Sequence, residues 1–243
     1  MDMKLKYLYG LTEDMQNPKF KDIFNDLCNC IKNISEEEIR IEFDKYCNET
    51  YKNYPQLPKT SKPNKSPAKI VNKQIKKTLC MAKWKSEEPI FYKKGDKNLE
   101  NKIFESLKMD FAKEPFAVEV SFNHGEAMEH NLFKPFLACT DYLGKRIRRV
   151  KGYRIGVIIV PTEEFKRNMN LDNTVATFDK WESYFDLYGE LNLIPYVLIG
   201  LKPLKTFVVK EERLPSEQEY NKKNGKPLKL KPGKLIKVWT EDL

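Results

Sequence analysis

The sequence predicts an α/β fold in which a mixed central β-sheet is flanked by helices, and three observations predict it. Residues 153–160 (Tyr-Arg-Ile-Gly-Val-Ile-Ile-Val) are a largely apolar run closed by Pro161, the pattern of a strand buried on both faces. Residues 196–200 (Tyr-Val-Leu-Ile-Gly) are a second such run. Between them Val175, Phe178, Trp181 and Phe185 mark a helix, and strand, helix, strand with apolar strands implies a sheet covered on both faces. The 243 residues allow one large domain or two small ones. We read a principal domain over residues 1–203 and a basic C-terminal extension over 204–243, which either belongs to that domain or forms an arm.

In chain order, Asn17-Pro18 places a capping residue before a proline at the first helical position, and Phe20, Ile23, Phe24, Leu27 and Ile31 follow as one apolar stripe. Ser35 with Glu38 has the form of a capping box and predicts a second helix carrying Ile39, Phe43 and Tyr46. Residues 54–69 interleave prolines with lysines and predict a loop, either a solvated connector or a positive segment lying along a polyanion. Ile70, Val71, Ile75 and Leu79 predict a helix over 68–82 that ends at residues 84–89, and 98–107 predict a short helix leading to Asp110. Residues 123–126 are turn-like. A helix with Leu132, Phe133, Phe136, Leu137 and Tyr142 follows, to pack on the sheet or on a second subunit, with Pro135 predicting a kink or a late start. Residues 162–169 predict a short helix, 170–174 a polar loop, and the pieces 206–209 and 235–239 an arm or a small hairpin.

Hydrophobic residues at 40%, with 12% aromatic, supply a core and exclude a disordered polymer. Forty-four Lys and Arg against 35 Asp and Glu give a formal charge of +9, which favours a polyanionic partner unless it reflects only a Lys-rich composition. The five cysteines are an odd, scattered set that forms no disulfide framework, and Cys28-Asn-Cys30 lacks the spacing and the histidines of a zinc knuckle. No apolar run is long enough for a membrane span and the first residues do not form a signal peptide, so a reducing cytoplasm and no membrane partner are expected.

The chemistry concentrates in residues 108–123. Phe116, Val118, Val120 and Phe122 alternate with Ala117, Glu119, Ser121 and Asn123, the period of a half-buried strand, so Glu119 and Ser121 share a face. A tight turn at Lys113-Glu-Pro115 lets Asp110 meet Glu119. Two carboxylates converging beside a polar residue suit a hard cation such as Mg²⁺, which takes oxygen ligands and keeps several waters. Taken alone, the same pattern also describes a solvated strand face beside an acidic turn.

Five motifs stand in order: Asp110-Phe-x-Lys113, Ala117-Val-Glu-Val-x-Phe122, Leu132-Phe133, the strand from Ile155 to Pro161, and Pro195-Tyr-Val-Leu-Ile-Gly-Leu-Lys-Pro203. With them the chain resembles type II restriction endonucleases of the BamHI, BglII and BstYI group within the PD-(D/E)xK nuclease fold, nearest the BstYI branch. The resemblance spans about residues 1–203. It implies a restriction-endonuclease-like fold and a homodimer on double-stranded DNA that cleaves a short palindromic site, leaving 5′-phosphate and 3′-hydroxyl ends, with a DNA methyltransferase as genetic partner. Asp110 and Glu119, with the Val120 carbonyl, are then the ligands of Mg²⁺. Mn²⁺ is expected to substitute, and Ca²⁺ to support binding only.

One position departs from the group. The third catalytic residue is Ser121, where the fold usually carries Lys and this group Glu or Gln, and a serine orients water without acting as a base near neutral pH. Proton removal then falls to a metal hydroxide, the substrate phosphate or a neighbour such as His124 or Glu126, and a DNA-binding protein without catalysis is the alternative reading. For base recognition the resemblance points to Asn123 and His124 after the catalytic strand and to Asn170, Asp172 and Asn173 after the second long strand. Lys85, Lys113, Arg146 and Arg149 are the expected phosphate contacts.

Overall fold

A computed structural model describes residues 1–8, 16–52, 65–93, 107–122, 125–140, 147–149, 152–188, 194–213 and 236–243. The proline-lysine loop up to residue 64, the short helix expected before Leu107, and Asn123, His124 and Arg146 lie outside the described residues, as does the side chain of Arg149.

The core is a six-stranded mixed sheet in the order β1 (Met3–Leu8), β8 (Tyr196–Leu201), β7 (Ile155–Pro161), β5 (Phe116–Val120), β4 (Lys108–Lys113) and β2 (Lys85–Pro89). β5, β7 and β8 run parallel, while β1, β4 and β2 join antiparallel. The two apolar runs thus form central strands, and every residue of β7 and β8 is buried. Their side chains alternate between layers. Val157, Ile159, Val197 and Ile199 enter one buried cluster, and Ile158, Val160, Tyr196 and Leu198 another on the opposite face.

Three helices pack in the first layer: α1 (Pro18–Lys32), α2 (Glu36–Lys52) and α3 (Ala68–Met81), through Leu27, Ile31, Ile39, Phe43, Ile75 and Leu79 among others. Both expected N-caps are made by their first residue. The Asn17 side chain accepts from Lys19 N–H, and Ser35 Oγ from Glu38 N–H at 3.1 Å. The Glu38 carboxylate does not close the capping box but pairs with Lys77 of α3. The opposite face receives α4 (Met128–Cys139), which follows a 3₁₀ turn at Gly125–Ala127, and α6 (Phe178–Tyr188). Between β7 and β8, α5 (Glu163–Asn168) is capped by Thr162. Two features differ from expectation here: α6 begins after Val175, and α4 starts well before Pro135, which it accommodates internally.

Two edge strands escape the sequence pattern. Residues 84–89 were expected only to end a helix, yet β2 pairs with β4; Met3–Leu8 pairs with β8. Asp110 sits inside strand β4. Lys113 is the last residue of that strand, and the turn itself is Glu114-Pro115 with a cis peptide bond.

Short sheets complete the fold. β3 (Phe91–Lys93) pairs with β6 (Ile147–Arg149), and β9 (Phe207–Arg213) forms an antiparallel hairpin with β10 (Ile236–Asp242). Phe207, Val209 and Val238 of that hairpin join the α1–α3 cluster, and Thr240 Oγ1 donates to Asp44 of α2 at 2.6 Å. Gly200 is one place where the absence of a side chain is required. A Cβ there would lie 2.5 Å from the Phe178 ring, so α6 could not approach β8 so closely over any larger residue.

Candidate active site

Hairpin register sets the site. Phe111 of β4 stands opposite Val118 of β5, so the next pair along is Asp110 and Glu119. The two residues lock each other: Asp110 N–H donates to Glu119 Oε1 at 3.1 Å, and Val120 N–H to Asp110 Oδ2 at 2.8 Å. On the other side of Asp110, β2 pairs Ser86 with Phe111 and Glu88 with Met109, which leaves Glu87, with φ of 55°, across from Asp110. Three adjacent strands therefore carry one acid each at the same level of the sheet.

These residues line a cleft of about 430 Å³. Asn72 and Lys76 reach it from α3, and His130, Asn131 and Lys134 from α4. Glu119 is 2% exposed, and Lys134 Nζ donates to its Oε2 at 2.6 Å. Burial pushes the Glu119 carboxyl up to about 8; the neighbouring Asp110 adds to the rise, and Lys134 opposes it. Asp110 is raised as well, chiefly by burial, against the hydrogen bond from Val120 N–H and the charge of Lys134. Two neighbouring, largely buried carboxyls with a single ammonium beside Glu119 favour an added cation.

The donor set fits a hard divalent ion. Oδ1 of Asp110 has no hydrogen-bond partner among the described residues and is not sealed in the core; among those residues the buried polar side-chain atom without a partner is Trp181 Nε1. No three His, Cys, Asp or Glu side chains among the described residues form a metal cage. An ion here would draw further ligands from water, the Val120 carbonyl and the substrate, as Mg²⁺ characteristically does.

A family model described as restriction endonuclease BglII/BglIII matches residues 12–201. The chain belongs to this family. A crystal structure of restriction endonuclease BglII complexed with a DNA 16-mer superposes over 100% of this chain and 90% of that one, with a TM-score of 0.52 at 17% identity. A structure of free BglII covers 90% of this chain and 88% of that one, with a TM-score of 0.45 at 15% identity. No curated protein matches the sequence. The mixed sheet between helical layers is thus the fold of BglII, and membership of the BglII/BglIII family makes the chain a restriction endonuclease by descent.

Within that frame the expected site residues divide. Asp110, Glu119 and Val120 come together at the cleft. Ser121 does not line it: its side chain is buried, and its Oγ accepts from Asn131 Nδ2 at 2.9 Å. Glu126 is exposed on the 3₁₀ turn, away from the cleft lining. Lys113 has a structural task, donating to Asp26 at 2.7 Å and to the Ala82 carbonyl at 2.9 Å. Lys85 pairs with Glu88.

In the 170–174 loop, the Asn170 amide is taken by the Lys65 carbonyl and Glu211, and Asp172 accepts from Thr174 N–H and its hydroxyl. Asn173 is exposed. Gly125 N–H donates to the Thr174 carbonyl at 2.8 Å, so this loop lies against the 3₁₀ turn at Gly125–Ala127.

Glu87, His130 and Lys134 were not anticipated. For Lys134 a signal existed, because it borders the α4 stripe of Met128, Asn131, Leu132, Pro135 and Ala138 that faces the sheet.

Proposed function

We propose that the chain is a type II restriction endonuclease of the PD-(D/E)xK kind, near the BstYI branch, that cleaves both strands of duplex DNA at a short palindromic site and leaves 5′-phosphate ends. The observation that carries this reading is the convergence of Asp110, Glu119 and Lys134 in one cleft. Asp110, Glu119 and the Val120 carbonyl would hold Mg²⁺, or Mn²⁺ in its place, and such an ion supplies a Lewis acid at the phosphate and an easily deprotonated water.

The rest is the chain's own work. Lys134 has three N–H donors, and Glu119 uses one. The remaining donors provide, from α4, the positive charge that Ser121 cannot supply from the strand, and they stabilise the phosphate as its charge redistributes. His130, at the cleft wall, is the group available to take a proton from the attacking water. Asn173 is the base-reading candidate of its loop, since its amide geometry suits an adenine edge.

In this reading two copies act together, each cutting one strand, and the exposed Phe133 with its neighbour Phe136, ring centroids 5.5 Å apart, offers an apolar patch on α4 for the second copy. A cytoplasmic setting with a cognate DNA methyltransferase follows from the same reading.

Digestion of bacteriophage DNA with Mg²⁺ tests it: discrete fragments with ligatable 5′-phosphate ends are expected. Duplex binding without any cutting would favour instead a DNA-binding protein on the same scaffold, the reading motivated by the committed Ser121 hydroxyl. Ca²⁺ gives a second measurement. With its carboxyl raised from 4.5 to about 8, Glu119 binds a proton in the folded state that the unfolded chain has lost, so its stability contribution is full below about pH 4.5 and is lost as pH rises through about 8. A divalent ion competes with that proton. The gain in melting temperature from Ca²⁺ is therefore expected to grow from pH 6 to pH 8, and a gain independent of pH would remove Glu119 from the ligand set.

A further inference from the structure

α3 carries two kinds of lysine on its outer surface. Lys73 and Lys77, one turn apart, turn towards α2, where they pair with Glu42 at 2.5 Å and Glu38 at 2.7 Å. Lys69 and Lys76 make no ion pair among the described residues. With Asn72 between them, the spacing of three and then four residues places Lys69, Asn72 and Lys76 on one flank of the helix. That flank leads into the site, because Asn72 and Lys76 line the cleft with Asp110 and Glu119. Lys69 lies roughly 10 Å further along the axis at 1.5 Å per residue.

The opening of α3 adds to the positive character. Pro67 offers no side-chain cap, and no acid stands in the first turn, whereas α2 begins with Glu36, Glu37 and Glu38. The buried side of α3, Val71, Gln74, Ile75 and Leu79, is fully used by the core, so this flank is not held in reserve for packing.

We propose that the Lys69–Asn72–Lys76 flank of α3 is a track for the phosphate backbone of duplex DNA, engaging the phosphates beside the one that reaches the carboxylates. The inference rests on the nuclease reading above and specifies how the substrate is held. A DNA strand is a line of negative charges, and the cleft confronts it with Glu87, Asp110 and Glu119; cations continuous with the cleft offset that repulsion. Lys76 acts inside the cleft and Lys69 outside it, while the neutral Asn72 amide between them donates to a phosphate oxygen. Contacts of this type fix position without reading sequence, and so they apply equally to DNA lacking the recognition site.

The test compares two double variants of the full chain, Lys69→Gln/Lys76→Gln and Lys73→Gln/Lys77→Gln, for binding to a mixed-sequence duplex in Ca²⁺ over a range of salt concentrations. Each phosphate contact contributes about 0.9 to the slope of log affinity against log salt. The Lys69/Lys76 variant is expected to lose roughly two units of slope and to bind more weakly, whereas the Lys73/Lys77 variant keeps the wild-type slope. Both substitute exposed lysines, and circular dichroism melts should coincide with wild type. Equal slopes for all three proteins, or an equal loss in both variants, would overturn the track while leaving the nuclease reading intact. Absence of any salt-dependent duplex binding by the wild type would overturn both.

Discussion

Glu119→Gln is expected to lower DNA cleavage by at least about a thousandfold, equivalent to ~4 kcal/mol of transition-state stabilisation, while duplex binding in Ca²⁺ is retained. Glutamine is the informative replacement. Its carbonyl can still accept from Asp110 N–H, so the hairpin lock is preserved and only the charge is lost. Alanine would remove the ligand and also leave Lys134 buried without its partner. Asp110→Asn is expected to behave in the same way, because the Val120 N–H bond survives and the charged oxygens do not. Cutting is read on phage DNA by gel, and folding by melting curves run beside it. Wild-type activity in either variant would remove the carboxylate pair from the mechanism.

Lys134→Met carries the second large effect, and it has two parts. Cleavage should fall by about a hundredfold or more, the usual consequence of losing a donor aimed at developing charge. Stability should fall too, since breaking one partner out of a buried ion pair costs about 3–5 kcal/mol when the other remains charged. Here the second part depends on pH. The Glu119 carboxyl, already pushed up to about 8 by burial, can take a proton instead. The destabilisation is therefore expected to be small at pH 5.5 and to grow towards pH 8.5, whereas the catalytic defect persists at every pH. Lys134→Arg, which keeps the charge, should recover part of both losses. Parallel pH profiles of melting temperature for wild type and Lys134→Met would show that the contact carries no such load.

What could be read from the sequence follows from where the information lies. The alternation in β5 is a strong local signal, because Phe116 and Val118 feed one layer while Ala117 and Glu119 turn to the other. It located Glu119, and the turn at Glu114-Pro115 located Asp110. The family motifs followed the same hairpin and the central strands β7 and β8, and these are the parts the fold places as expected.

The edge strands were not legible. Lys85-Ser-Glu-Glu-Pro89 has no apolar face to display, and Met3–Leu8 alternates lysine with apolar residues in a way that reads equally well as a basic terminus. Glu87 was lost with its strand. Lys134 and His130 belong to a helix whose register against the sheet depends on packing that spans the molecule, so the arrival of Lys134 at Glu119 and of His130 at the cleft is a tertiary fact. Ser121 follows the motif by position, yet its hydroxyl is tied to Asn131, and the ammonium beside Glu119 comes from α4, three residues beyond that asparagine.

The reciprocal bonds between Asp110 and Glu119 make their spacing a property of the backbone. Each acid is tethered by a main-chain amide of the opposing strand, so no distant side chain is needed to aim either oxygen. The hairpin thus presets the separation of the two acids from within its own backbone. A change in the flanking loops therefore leaves the spacing of the two carboxylates untouched so long as the β4–β5 pairing holds.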